Sequence, residues 1–166
     1  ERVSLALKHA GATYKYDLSL PTESMYDLVD ALRARVARRV TEGDGVTEKN
    51  SEKKERHFDF SSVSVMGYGH LGDGNLHLNV SSPTGYHPAL LKLIEPFVYE
   101  FTANARGSVS AEHGVGAMKP AELRHSKPPE AVALMRGIKR LMDPKGILNP
   151  YKVLPPEVLL GGGEEG

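Results

Sequence analysis

The run Asn75-Leu76-His77-Leu78-Asn79-Val80 alternates polar and apolar side chains with strict period two, directly after the turn residues Gly72-Asp73-Gly74. Successive side chains of a strand point to opposite faces, so this pattern fits a half-buried strand. Leu76, Leu78 and Val80 then face a core, while Asn75, His77 and Asn79 border solvent or a cavity. The apolar run Val63-Ser64-Val65-Met66 ends shortly before His70, and pairing of the two segments as a hairpin would fold His70 back beside His77.

A second segment, Ser110-Ala111-Glu112-His113-Gly114-Val115-Gly116, offers a carboxylate and another imidazole among glycines. Imidazole suits zinc and other first-row divalent ions, and a catalytic site uses about three protein ligands with a position left open. The chain has no cysteine, so a transition-metal site must be built from His, Asp and Glu. Glu112 is the natural third ligand beside His70 and His77. The alternative is a pair of hairpin histidines satisfied by backbone or water, because two-histidine spacing alone is a weak motif.

The remaining pattern predicts a helix tail over 1–10 stopped by Gly11, a strand over 12–20, and a helix from Thr22, its N-cap, to about Val40. Met25, Leu28, Val29, Leu32 and Val36 supply that helix with an apolar face, and Arg33, Arg35, Arg38 and Arg39 read as its solvated end. Residues 42–57 are charged with little to bury and read as a mobile loop. Strands at 58–69 and 75–82 form the hairpin, followed by a helix at 88–105, a short strand at 108–110 and a helix at 129–142. Pro144 and Gly146 end the last helix, Asn149 before Pro150 favours an extended or turn conformation, and 158–166 reads as a disordered tail. Strands joined by hairpin and helix indicate an α+β fold, an antiparallel sheet covered by helices.

With 166 residues, 40% hydrophobic and formal charge zero, the chain suits one core and is a poor nucleic-acid binder. No stretch approaches the roughly 18 apolar residues of a membrane span. Absence of cysteine suits a reducing compartment.

The segments Gly67–Val80, Ser108–Gly116 and Asp143–Pro155, with Tyr14–Pro21 and Ser126–Pro129, closely resemble the C-terminal domain of the FAD-linked D-2-hydroxyacid dehydrogenases. The resemblance spans nearly all of residues 1–157. It implies an oxidoreductase that passes a hydride from a D-2-hydroxy acid to FAD, with D-2-hydroxyglutarate going to 2-oxoglutarate as the leading substrate and D-lactate or glycolate as alternatives. It assigns His70, His77 and Glu112 to a divalent metal, usually zinc, and Asn79 and His113 to substrate, His113 being placed to act as general base. Lys15, by itself an ordinary solvated strand lysine, and Ser4 become substrate contacts by the same resemblance, and Asn149 a contact to FAD. The resemblance further implies that an N-terminal domain holds most of the FAD, that a substrate-binding arginine lies just before Glu1, and that the protein is mitochondrial. An electron-transfer flavoprotein is then the expected electron acceptor, with a homodimer among the allowed assemblies. A noncatalytic metal-binding module is the competing class. It would keep His70, His77 and Glu112 with no need of Asn79, Lys15 or a separate His113.

Overall fold

The structure, a computed structural model, describes residues 9–42 and 58–155. Ser4 and most of the expected helix tail, residues 43–57 of the expected loop, and everything after Pro155 lie outside the described residues.

A three-stranded antiparallel sheet organises the chain in the order β1-β3-β2, with β1 at Ala12–Ser19, β2 at Ser64–His70 and β3 at Asn75–Ser82. The central strand β3 has the bounds its alternation predicts, and Leu76, Leu78 and Val80 are at most 2% exposed. A slip of one residue would expose all three at a cost of roughly 5–9 kcal/mol, comparable to the whole stability of a small domain. That cost pins the register.

The apolar face of the sheet packs on helix α1 (Met25–Glu42) and on two short helices, α2 (Pro88–Ile94) and α3 (Phe97–Asn104), in one hydrophobic core. Leu28, Val29, Leu32 and Val36 of α1 are buried as their spacing predicts. The helix comes so close at Gly67 that a Cβ there would stand 2.5 Å from Val29 Cγ2. Arg33 is exposed as expected, though its Nε donates to the Val65 carbonyl of β2; Arg35 departs from the expected solvated end, its Nε donating to the Leu93 carbonyl while its guanidinium lies over the Phe97 ring. Their long stems let both stitch α1 to its neighbours.

Three boundaries differ from the expected ones. Thr22 does not cap α1; it opens a 3-10 turn, Thr22–Ser24, and its hydroxyl donates to Glu23. The strand expected from residue 58 begins only at Ser64, because the Asp59 carboxylate accepts the Ser61 N–H and draws Phe60–Ser62 into a 3-10 turn. The helix expected over 88–105 is two helices. Glu95, preceding Pro96, takes the extended conformation (φ −103°, ψ 136°) that proline imposes on its predecessor.

The last helix, α4 (Pro129–Met142), has the expected bounds, yet its apolar residues Leu134, Ile138 and Leu141 are exposed among the described residues. The segment after it is tied back by Asp143, whose carboxylate accepts Lys139 Nζ at 2.7 Å and the N–H groups of Leu148 and Ile147 at 2.9 and 3.1 Å. The bond from Lys139 lowers the Asp143 pKa most, burial opposes it, and the two backbone donors complete a net lowering. A carboxyl with a lowered folded pKa contributes stability above its unfolded value, here 3.8, and loses it as pH falls through the folded pKa. The Ile147 and Leu148 amide resonances should therefore hold steady down to about pH 4 and shift below it, with Lys139→Met raising the midpoint. A midpoint at or above 3.8 in the wild type would show the anchor to be absent in solution.

Candidate metal and substrate site

The polar face of the sheet carries the site. Direct pairing puts Asp17 opposite His77 and His77 opposite Tyr68, Lys15 opposite Asn79, and His70 opposite Asn75. The hairpin turn is a 3-10 turn, Leu71–Asp73, closed by Gly74 at φ 64°. A Cβ at Gly74 would meet the Leu20 carbonyl at 2.4 Å, so this turn needs glycine for space as well as for its left-handed backbone. It returns His70 to the neighbourhood of His77, with ring centroids 5.5 Å apart.

The fourth strand expected, over 108–110, is a single bridge, Ser19 to Ser108, with both backbone hydrogen bonds made at 2.8–2.9 Å. Beyond it, Val109 is buried and its N–H donates to Ser126 Oγ, while Lys119 Nζ donates to its carbonyl. Anchored there, residues 110–116 turn back over the polar face. Glu112 Oε1 lies 3.0 Å from His77 Nε2, 3.6 Å from His70 Nε2 and 4.0 Å from His113 Nε2. The His77 and His113 rings stack at 5.5 Å with an interplanar angle of 15°.

Of the residues the sequence singles out, the structure thus brings together His70, His77, Glu112 and His113. Asn79 lies on the same face but is buried, its Nδ2 donating to the His77 carbonyl. Lys15, next to it across the strand pair, is exposed. Asn149 stands apart, in a groove between α4 and the C-terminal segment that shares no residue with the cleft at His70 and Glu112. That cleft, about 300 Å³, is also lined by Asn75 and Ser110, whose Oδ1 and Oγ are buried without a hydrogen-bond partner among the described residues.

One residue escapes the sequence reading. Asp17, 3% exposed, accepts the N–H groups of Ala111, Glu112 and His113 on Oδ2 and the Asn75 amide on Oδ1. Burial pushes its pKa up, but the backbone donors of His113 and Glu112, the Asn75 amide and the His113 imidazole together outweigh burial and hold it below the ordinary value. The available signal was phase: an acid two positions from Lys15 shares its face of β1.

Does this donor set suit a divalent ion? Ligands about 2.0–2.2 Å from a tetrahedral ion stand roughly 3.3–3.6 Å from one another, and the separations of 3.0 and 3.6 Å from Glu112 to the two hairpin histidines bracket that spacing. One ligand atom from each of Asp17, His77, Glu112 and His113 also falls within a 4.8 Å group. Four hydrogen bonds already occupy the Asp17 oxygens, which makes it a poorer ligand than His70. His77, Glu112 and His113 thus meet as candidate ligands with Asp17 behind them, and His70, outside that group, approaches it through Glu112 at 3.6 Å.

Comparison with known proteins agrees with the resemblance read from the sequence. The profile described as "FAD linked oxidases, C-terminal domain" matches residues 2–153. The chain is 55% identical to the mitochondrial D-2-hydroxyglutarate dehydrogenase of Arabidopsis thaliana over 93% of its own length and 23% of that protein's. It is 53% identical to the enzyme of the same name from Bos taurus over 93% and 24%. A putative mitochondrial D-lactate dehydrogenase of Schizosaccharomyces pombe is 38% identical over 92% and 27%. The chain spans about a quarter of the length of these curated relatives. With a profile match over nearly its whole length, this chain belongs to the family of FAD-linked oxidase C-terminal domains.

Proposed function

We propose that this chain is the substrate- and metal-binding part of an FAD- and metal-dependent dehydrogenase that oxidises D-2-hydroxyglutarate to 2-oxoglutarate. The observation that carries the reading is the convergence of His70 and His77 on Glu112, with His113 stacked alongside, in a chain half identical to dehydrogenases of that name. Those names also support mitochondria as its compartment. Electron-transfer flavoprotein is the acceptor we assign.

Among the described residues no glycine-rich turn joins a strand to a helix N-terminus. This chain's part is to hold the hydroxy acid and move its proton, with Asn149 as a peripheral flavin contact. A bound zinc or similar ion would supply Lewis acidity to the substrate's hydroxyl and carboxylate oxygens. His113 Nε2 takes the hydroxyl proton, and the imidazolium so formed is stabilised by Glu112, 4.0 Å away. Lys15, exposed beside Asn79, pairs with the second carboxylate of the substrate, and Ser4 completes the substrate contacts.

The decisive measurement is turnover of D-2-hydroxyglutarate, D-lactate and glycolate by the full-length protein with an artificial electron acceptor. Preference for D-lactate, the reading favoured by the fission-yeast relative, would sink the dicarboxylate assignment. Lys15→Met should raise KM for D-2-hydroxyglutarate roughly 10–100-fold, the equivalent of one lost charge-assisted contact of ~1.5–3 kcal/mol. D-lactate kinetics should stay unchanged. An equal effect on both substrates would place Lys15 elsewhere in the reaction.

A further inference from the structure

The following rests on the metal reading above. Asp17 touches both segments that supply the site's imidazoles and carboxylate, and every contact it makes calls for an acceptor. Oδ2 receives three consecutive backbone N–H groups, from Ala111, Glu112 and His113, at 3.0, 2.9 and 2.8 Å. Three N–H groups in a row converge on one oxygen only when the chain curls tightly around it, so this oxygen shapes the backbone from which Glu112 and His113 project. Oδ1 accepts Asn75 Nδ2 at 2.7 Å and lies 3.7 Å from His77 Nδ1. The far nitrogen of that ring, Nε2, is the one 3.0 Å from Glu112.

An ion held by His77 Nε2 needs the lone pair of that nitrogen, which places the ring proton on Nδ1, where the negative Oδ1 favours it. The alternative tautomer would set the Nδ1 lone pair against a buried carboxylate. We propose that Asp17 is a positioning residue for this site: a single buried carboxylate selects the Nδ1–H tautomer of His77 and holds the 111–113 turn, so that one anion aligns the ligand histidine, the ligand carboxylate and the base. Asparagine cannot replace it. Whichever way its amide is turned, the NH2 group faces either the three backbone donors or the Asn75 amide together with His77 Nδ1–H.

The test is zinc titration of the wild-type protein and the Asp17→Asn variant by calorimetry, with melting curves for both and the 15N imidazole spectrum of zinc-loaded wild type. Asp17→Asn should bind zinc about 10–100-fold more weakly, and the spectrum should show His77 bound through Nε2 and protonated at Nδ1. Should the variant fail to fold, the spectrum of metal-free wild type at a pH where His77 is neutral decides, because no ion then fixes the tautomer: a ring protonated at Nδ1 supports the proposal, and one protonated at Nε2, towards Glu112, overturns it. His77 bound through Nδ1 would overturn the proposal, as would equal zinc affinity in wild type and folded variant. A wild-type protein that binds no zinc would overturn the metal reading along with this inference, whereas equal binding by both proteins would overturn this inference alone.

Discussion

Replacing His113 by asparagine in the full-length flavoprotein is expected to lower kcat for D-2-hydroxyglutarate by roughly 10²–10⁴-fold, the usual contribution of a positioned general base, while leaving the bound metal in place. His113 differs from the two hairpin histidines in ways that bear on this split. Its side chain is 67% exposed where that of His77 is 15% exposed, and its Nε2 is the most distant of the three from Glu112 Oε1. A substrate hydroxyl can reach it from the solvent side without displacing a ligand. Two measurements separate the competing roles. Loss of metal with loss of activity would make His113 a ligand, and unchanged turnover with intact metal would favour a module in which the centre is not catalytic.

Removal of a ligand should look different. His77→Ala takes away the least exposed of the three imidazoles facing Glu112, and its loss should weaken zinc binding by more than the ~10–100-fold typical of an outer contact. The effect is readable without turnover. At a zinc concentration about 100 times its Kd, binding to the folded state adds roughly 2.7 kcal/mol, a rise in melting temperature of roughly 5–10 °C for a domain of this size. Wild type should show that rise and His77→Ala should not. An equal rise in both would move the ion away from His77, and with it the assignment of Glu112, whose shortest contact to a histidine is to this ring. Asn79→Ala is the useful control, because its amide bonds the His77 carbonyl rather than the imidazole.

Much of the frame was legible in the residues. The alternation in 75–80 defines β3, its two faces and its register, because apolar burial on one face alone outweighs any slipped pairing. The bounds of α4 and the apolar face of α1 follow from helical spacing in the same way. Local competition was harder to read. Asp59 captures a turn that the apolar run suggested was strand, and Pro96 divides a helix whose apolar stripe runs on through it. Burial of α4's stripe could not be inferred from its pattern, since amphipathic spacing says which face is apolar and not what covers it.

For the site, the sequence by itself determined which side chains are available: two histidines on the polar face of one hairpin, a Glu-His pair between glycines, and no cysteine to compete with them. It also carried enough identity to establish the family. Only the tertiary structure decided which of them meet. Ser19 bridges Ser108 across 89 positions, and that bridge delivers Glu112 to His77. Asp17 is the sharpest instance. In the chain it is one acid in a strand, and its importance arises because pairing of β1 with β3 sets it behind His77 while the 111–113 backbone closes around it. Periodicity encodes the direction a side chain faces, a property of its own backbone; the partners it finds depend on non-local pairing, which leaves no local pattern to read.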